Sequence, residues 1–213
     1  AGTAAPTPAF AQHVNRVGAG DAGPNTGGMG AYSPVPFVDD ATAERIRTDV
    51  VERTIRAMAD EGVPYRGVLY AGLMLTDAGP RVLEFNCRFG DPATQALMPR
   101  LASEPGALFL ACAHGELPSR RVDLRPGACV TVVLASGGYP GAYETGFEIE
   151  GLEAAESVEG ATVFHSGTAK RQGRVVTAGG RVLSVSATGS SIAEARERAY
   201  DASGRVSFEG MRY

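Results

Sequence analysis

Lysine is nearly absent: of the 20 basic residues only Lys170 is a lysine, and the rest are arginine. Cysteine and histidine are sparse too, at three each: Cys87, Cys112 and Cys129, and His13, His114 and His165. No two cysteines stand at C-x-x-C spacing and no H-E-x-x-H occurs. Nothing in the pattern therefore points to a zinc site or to a Cys/His nucleophile pair. An odd number of cysteines without framework spacing fits the reducing cytoplasm, where cysteine packs as a small hydrophobe. No apolar run approaches the ~18 residues that a membrane helix needs. The opening AGTAAPTPAF has neither a basic stretch nor a long apolar one, so no signal peptide is expected. Positive charge is in deficit, with a net charge of −4. That argues against a nucleic-acid-binding face, which needs clustered Lys and Arg. Neither a nucleic acid nor a membrane is expected as a partner.

What remains is an ordinary globular composition: 213 residues, 44% hydrophobic and 21% charged. That length accommodates one large domain or two small ones. Residues 16 to 34, RVGAGDAGPNTGGMGAYSP, are rich in glycine and show neither a helical nor a strand period, which reads as a loop with exposed backbone N–H groups. Asp39 and Asp40 open a helix predicted over 40 to 61, with Ile46, Val50, Thr54 and Met58 on one face and Gly62 and Pro64 ending it. GVLYAGLML and RVLEFN flank TDAGP as a hairpin. Helices are predicted over 94 to 101 and 105 to 114. Strands follow at 128–135, 161–165, 174–178 and 181–187, then a helix at 191–202. RRVDLRPG marks the boundary between two modules, residues 1–118 and 119–213.

Three features carry chemistry. Glu84 and Asn86 lie two apart on a predicted strand and so share a face. A carboxylate and an amide oxygen together suit Mg2+ that is held mainly by a nucleotide, and equally suit a solvated polar strand face. In R-F-G-D-P, Arg88 offers a two-pronged cation for carboxylate or phosphate, Gly90 permits close approach, and Asp91 accepts from an amine. The same residues also make a plain turn in which Arg88 pairs with Asp91. The Gly-rich stretch lacks the Gly-Lys-Ser/Thr of a P-loop and the strand–helix context of a dinucleotide fingerprint, but its N–H groups suit anions. Lys170, in TAKRQGR, reads as a solvated turn residue.

Taken together, GPNTGGMGAYSP, GVLYAGLML, VLEFNCRFGDP, ASGGYPGAY and VFHSGTAKRQGRVVTAGGRVLSVSATG occur in one order. In this the chain resembles the glycinamide ribonucleotide synthetases (phosphoribosylamine–glycine ligases), which are ATP-grasp enzymes of purine biosynthesis. The likeness runs from about Ala11 to Tyr213. It implies an α/β (α+β) chain, the C-terminal lobe of an ATP-grasp fold followed by a smaller β-rich domain. It implies a reaction in which ATP converts glycine to a glycyl phosphate and 5-phosphoribosylamine then attacks, releasing glycinamide ribonucleotide, ADP and phosphate. Glu84 and Asn86 become ligands of Mg2+ or Mn2+, and Arg88 and Asp91 catalytic residues. Asn25, Thr26, Gly27, Gly28 and Met29 become a substrate-enclosing loop, joined by Gly90 and Pro92.

The resemblance also implies a missing N-terminal half, carrying the lysines that contact the nucleotide, so that turnover by residues 1–213 alone is not expected. The chain departs from the family string at Ala93, where a glutamate is usual, and at His13, Val14, Asn15 and Ala19, where Asp, His, Lys and Asp are usual. These departures keep open a non-catalytic relative acting as a binding module, and an ATP-grasp ligase of other specificity.

Overall fold

The computed structural model describes residues 10–18, 20, 22–117 and 122–213. The opening segment, Ala19 and the 118/119 boundary fall outside these residues. The chain forms two compact units, and neither is continuous in sequence. The first holds Val35–Gly90 and the described part of Leu101–Arg125. The second holds Ala11–Pro34, Asp91–Arg100 and Pro126–Tyr213. This grouping by packing is a different partition from a linear cut at 118, because residues 11–34 and 91–100 pack with the C-terminal part.

In the first unit, α1 (Asp40–Ile46) and α2 (Arg53–Asp60) are joined by a π-helical turn, Arg47–Glu52. The predicted 40–61 helix is therefore interrupted in its middle. One threonine lies inside the interruption and another just after it, and Thr48 and Thr54 each return a hydroxyl hydrogen bond to the carbonyl four residues earlier. Such bonds compete with the regular ladder. Asp39 caps α1 by accepting from the Thr42 N–H at 2.8 Å; hydrogen bonding to the Thr42 side chain, and then to its N–H, holds the Asp39 carboxyl below the usual range. The predicted hairpin is present as β3 (Tyr70–Thr76) and β4 (Gly79–Asn86), antiparallel, with Tyr70 opposite Asn86 and Gly72 opposite Glu84. Helix α4 (Pro105–His114) starts at proline behind a Glu104 cap and stops at Gly115 with φ 74°.

The second unit is built on a five-stranded antiparallel sheet in the order β1-β2-β5-β9-β6. Its strands are β1 (Gln12–Gly18), β2 (Ala22–Ser33), β5 (Ala128–Ala135), β6 (Ala161–His165) and β9 (Arg181–Gly189). The Gly-rich stretch, expected to be a loop, is thus mostly strand. Its period is invisible because backbone pairing holds it: Gly30 to Ser33 pair with Cys129 to Val132. At Gly30 a Cβ would stand 2.9 Å from the Thr131 carbonyl.

Every residue of β5 is buried. On one face Val130, Val132, Leu134, Leu183, Val185 and Ala187 pack with Ala195, Ala199 and Ala202 of α6 (Ile192–Arg205). On the other, Cys129 Sγ reaches the Gln95 carbonyl of α3 (Ala93–Leu97), which runs into a 3-10 turn, Met98–Arg100. The hairpin of β7 (Thr168–Arg171) and β8 (Arg174–Thr177), with α5 (Leu152–Glu156), completes the unit. Strand β7 and helix α5 had no counterpart in the sequence reading, being four and five residues long.

Candidate active site

The candidate residues divide between the two units, and the chain passes from one to the other between Gly90 and Asp91. In the first unit, β4 brings Glu84 and Asn86 together. The Asn86 amide donates to Glu84 Oε1 at 3.0 Å. Opposite Glu84 stands Gly72, where a Cβ would come within 3.0 Å of the Glu84 Cγ, so a glycine leaves the carboxylate its room. Burial, and then the negative charge of Glu84, push the Tyr70 hydroxyl upward, while Arg88 opposes them. Glu84, Tyr70 and Arg88 thus share one electrostatic neighbourhood. Arg88 donates to the Phe89 carbonyl at 3.0 Å and is exposed.

Among the described residues, no group of three or more His, Cys, Asp or Glu side chains is placed to hold a metal. The Glu84 carboxylate is exposed and Asn86 half-buried, with the amide nitrogen turned to Glu84. A carboxylate and an amide oxygen are hard donors of the kind that suits Mg2+, whose remaining ligands come from phosphates and water.

The second unit gathers the rest. Pairing between β1 and β2 is interrupted: Asn25 lies opposite Arg16 and Gly30 opposite Val14, so 26 to 29 fall out of register. Side chains hold this segment instead. Thr26 Oγ1 donates to the Asn15 carbonyl at 2.7 Å and accepts from the Gly28 N–H at 3.0 Å. Tyr139 Oη accepts from the Gly27 N–H at 3.2 Å. Gly28 has φ 119°, and a Cβ there would stand 2.6 Å from Pro92 Cδ.

Asp91 lies beside this segment, with Oδ1 accepting from Gln95 Nε2 at 3.0 Å and Oδ2 paired to Arg181 Nη2 at 3.4 Å. The ion-pair partner of Asp91 is therefore Arg181, not the Arg88 that a plain turn would use. Asn25 and Gly27 are exposed, Thr26 is half-buried, and Gly28, Met29, Gly90 and Pro92 are buried. Ala93, at the start of α3, is 5% exposed.

Sequence reasoning did not assign Gln95, Tyr139 or Arg181. The last two lie in strings already singled out, GGYPGAY and GGRVL, but no spacing ties either to the Gly-rich segment.

Residues 1–94 match the family described as "Phosphoribosylglycinamide synthetase, ATP-grasp (A) domain", and residues 129–213 match its "C domain". The fold and these matches define the class: an ATP-grasp chain, the C-terminal lobe of that fold followed by a β-rich domain. The chain belongs to the phosphoribosylglycinamide synthetase family.

Among its relatives, the phosphoribosylamine–glycine ligase of Rhizobium meliloti is 49% identical over 205 residues, spanning 96% of this chain and 48% of the relative. That of Vibrio parahaemolyticus is 49% identical over 95% of this chain and 47% of the relative. The crystal structure of the Thermotoga maritima phosphoribosylamine–glycine ligase superposes with a TM-score of 0.85 at 41% identity, covering 96% of this chain and 50% of that one. The N5-carboxyaminoimidazole ribonucleotide synthetase of the same organism shares the fold, with a TM-score of 0.60 at 16% identity. The chain spans about half the length of the curated relatives it matches.

Proposed function

We propose that this chain is the metal-binding and C-terminal part of an ATP-dependent ligase of the cytoplasm that joins glycine to 5-phosphoribosylamine in purine biosynthesis. The observation that carries the reading is the 49% identity to phosphoribosylamine–glycine ligases over 96% of the chain. The glycine carboxylate takes the terminal phosphoryl group of ATP, giving glycyl phosphate and ADP. The phosphoribosylamine nitrogen then attacks the acyl carbon, phosphate leaves, and glycinamide ribonucleotide is formed.

Glu84 and Asn86 would hold Mg2+ or Mn2+, which when bound offsets charge on phosphoryl oxygens. Arg88, exposed beside Glu84, stabilises the anionic carboxylate or acyl phosphate. Asp91, fixed at both oxygens, receives the substrate amine. Asn25, Thr26, Gly27, Gly28 and Met29 would form the substrate-enclosing loop, with Gly90 and Pro92 as further substrate-binding residues. The rest of the fold comes from a missing N-terminal half. The apolar surface of the first unit supports this, with Leu83 66% and Leu110 61% exposed and no buried residue on the apolar helix α4.

The test joins residues 1–213 to the N-terminal half of the Rhizobium meliloti relative and measures ADP and glycinamide ribonucleotide. Ligation is expected, with kcat falling at least about 100-fold in Glu84→Gln. Absence of product overturns the reading. A second reading, a non-catalytic binding module, is favoured by buried Ala93 in place of the family's usual glutamate; product appearing only after Ala93→Glu would establish it.

A further inference from the structure

Among the described residues of the second unit, Arg181 reaches the out-of-register segment and the Asp91 turn together. Its Nη1 donates to the Gly27 carbonyl at 3.1 Å, the Asp91 carbonyl at 3.0 Å and the Gly28 carbonyl at 3.4 Å, and its Nη2 pairs with Asp91 Oδ2 at 3.4 Å. The pairing of β2 with β5 begins only at Gly30, so sheet hydrogen bonds do not fix Gly27 or Gly28 there. Both polar backbone groups of Gly27 are instead taken by residues from the C-terminal part, its N–H by Tyr139 and its carbonyl by Arg181. A Cβ at Gly27 would stand 3.3 Å from the Arg181 Cζ and 3.4 Å from the Tyr139 Oη, so the contact is made on bare backbone.

Resting on the ligase reading above, the geometry points to Arg181 as a positioning residue of that site. From β9 it holds the Gly27–Gly28 backbone against Asp91 and fixes the direction of the Asp91 carboxylate. The task demands arginine. A planar fork with five donors spans three carbonyls and a carboxylate at once, whereas a lysine ammonium is a single point that cannot bridge them. With the side chain only 23% exposed, water competes poorly for these acceptors.

The experiment compares wild type, Arg181→Lys and Arg181→Met in two arms. Hydrogen exchange of the 213-residue chain is expected to rise at least about tenfold in segments 25–30 and 91–96 of both variants, with β5 and α6 as protected as in wild type. Unchanged exchange in those two segments overturns the inference. So does loosening that spreads through β5 and α6, which would make Arg181 a general prop of the fold.

In the joined ligase, Arg181→Met is expected to lower kcat at least about tenfold with the KM for ATP within about twofold of wild type. A wild-type kcat overturns the inference. If the joined wild-type protein itself makes no product, the ligase reading fails, and the exchange arm still decides whether Arg181 clamps the two segments.

Discussion

Arg100, a residue 8% exposed, donates from Nη1 to Ser33 Oγ at 2.7 Å. Its Nε has no partner among the described residues. Burial lowers the Arg100 pKa. A buried charged donor stripped of its acceptor costs more than a neutral buried hydroxyl stripped of its donor. Ser33→Ala is therefore expected to destabilise the chain by about 3 kcal/mol and Arg100→Met by about 1 kcal/mol. Urea unfolding checks the order, and the reverse order would show that Arg100 is held by something other than Ser33.

Cys129 lies fully buried near the same arginine, and burial pushes its thiol up to about 12. Cys87 is exposed. With iodoacetamide at pH 8, native chain is expected to be labelled at Cys87 and spared at Cys129 until denaturant is added. Mass spectrometry of the peptides reads this directly. Labelling of Cys129 at native rates would mean that β5 opens readily.

Two glycines with positive φ separate strain from crowding. Gly28 (φ 119°) would place a Cβ 2.6 Å from Pro92 Cδ, while Gly173 (φ 80°) has nothing within 4 Å. Gly173→Ala is expected to cost about 1 kcal/mol, the conformational term alone. Gly28→Ala is expected to cost about 2 kcal/mol or more, because the rigid proline ring adds overlap. Equal costs would mean that the Pro92 contact yields.

At the start of α6, Glu194 accepts from the Ser190 hydroxyl and N–H, while Ser191 Oγ accepts from the Glu194 N–H at 3.2 Å. These bonds, the Ser190 hydroxyl foremost, hold the Glu194 carboxyl below its ordinary range. A depressed carboxylate stabilises the fold above its unfolded pKa and loses that contribution as pH falls through the folded value. The stability difference between wild type and Glu194→Gln should thus be full at pH 7 and fade below about pH 4. Thermal unfolding across about pH 7 to 2 measures it, and a difference that does not shrink as the pH falls contradicts the assignment.

Legibility followed the range of the interactions. The 105–114 helix was readable to the residue, because Glu104, Pro105 and Gly115 mark its ends locally. The hairpin bearing Glu84 and Asn86 was readable from two apolar runs around a turn, and the closeness of those side chains follows from the strand period. The π-helical turn at Arg47–Glu52 was not, since the i+4 apolar positions run straight through it. Strand β2 was missed because its pairing is written in backbone, not in side chains. The tie of Asp91 to Arg181 spans 90 positions, and nothing in the linear spacing announces it.

The pairing of β2 with β5 has a consequence in time. Tyr32 meets Val130 across about a hundred residues of chain. A ribosome adding 5–20 residues per second would complete β2 roughly 5–20 seconds before its partner emerges. Throughout that interval β2 shows an open edge, a template on which other nascent chains can add. Glycine, four of the twelve residues of β2, is a poor strand former with no side chain to bury, which disfavours such addition. The composition that hid this strand from a reader of the sequence also hides it from neighbouring chains until the sheet can close.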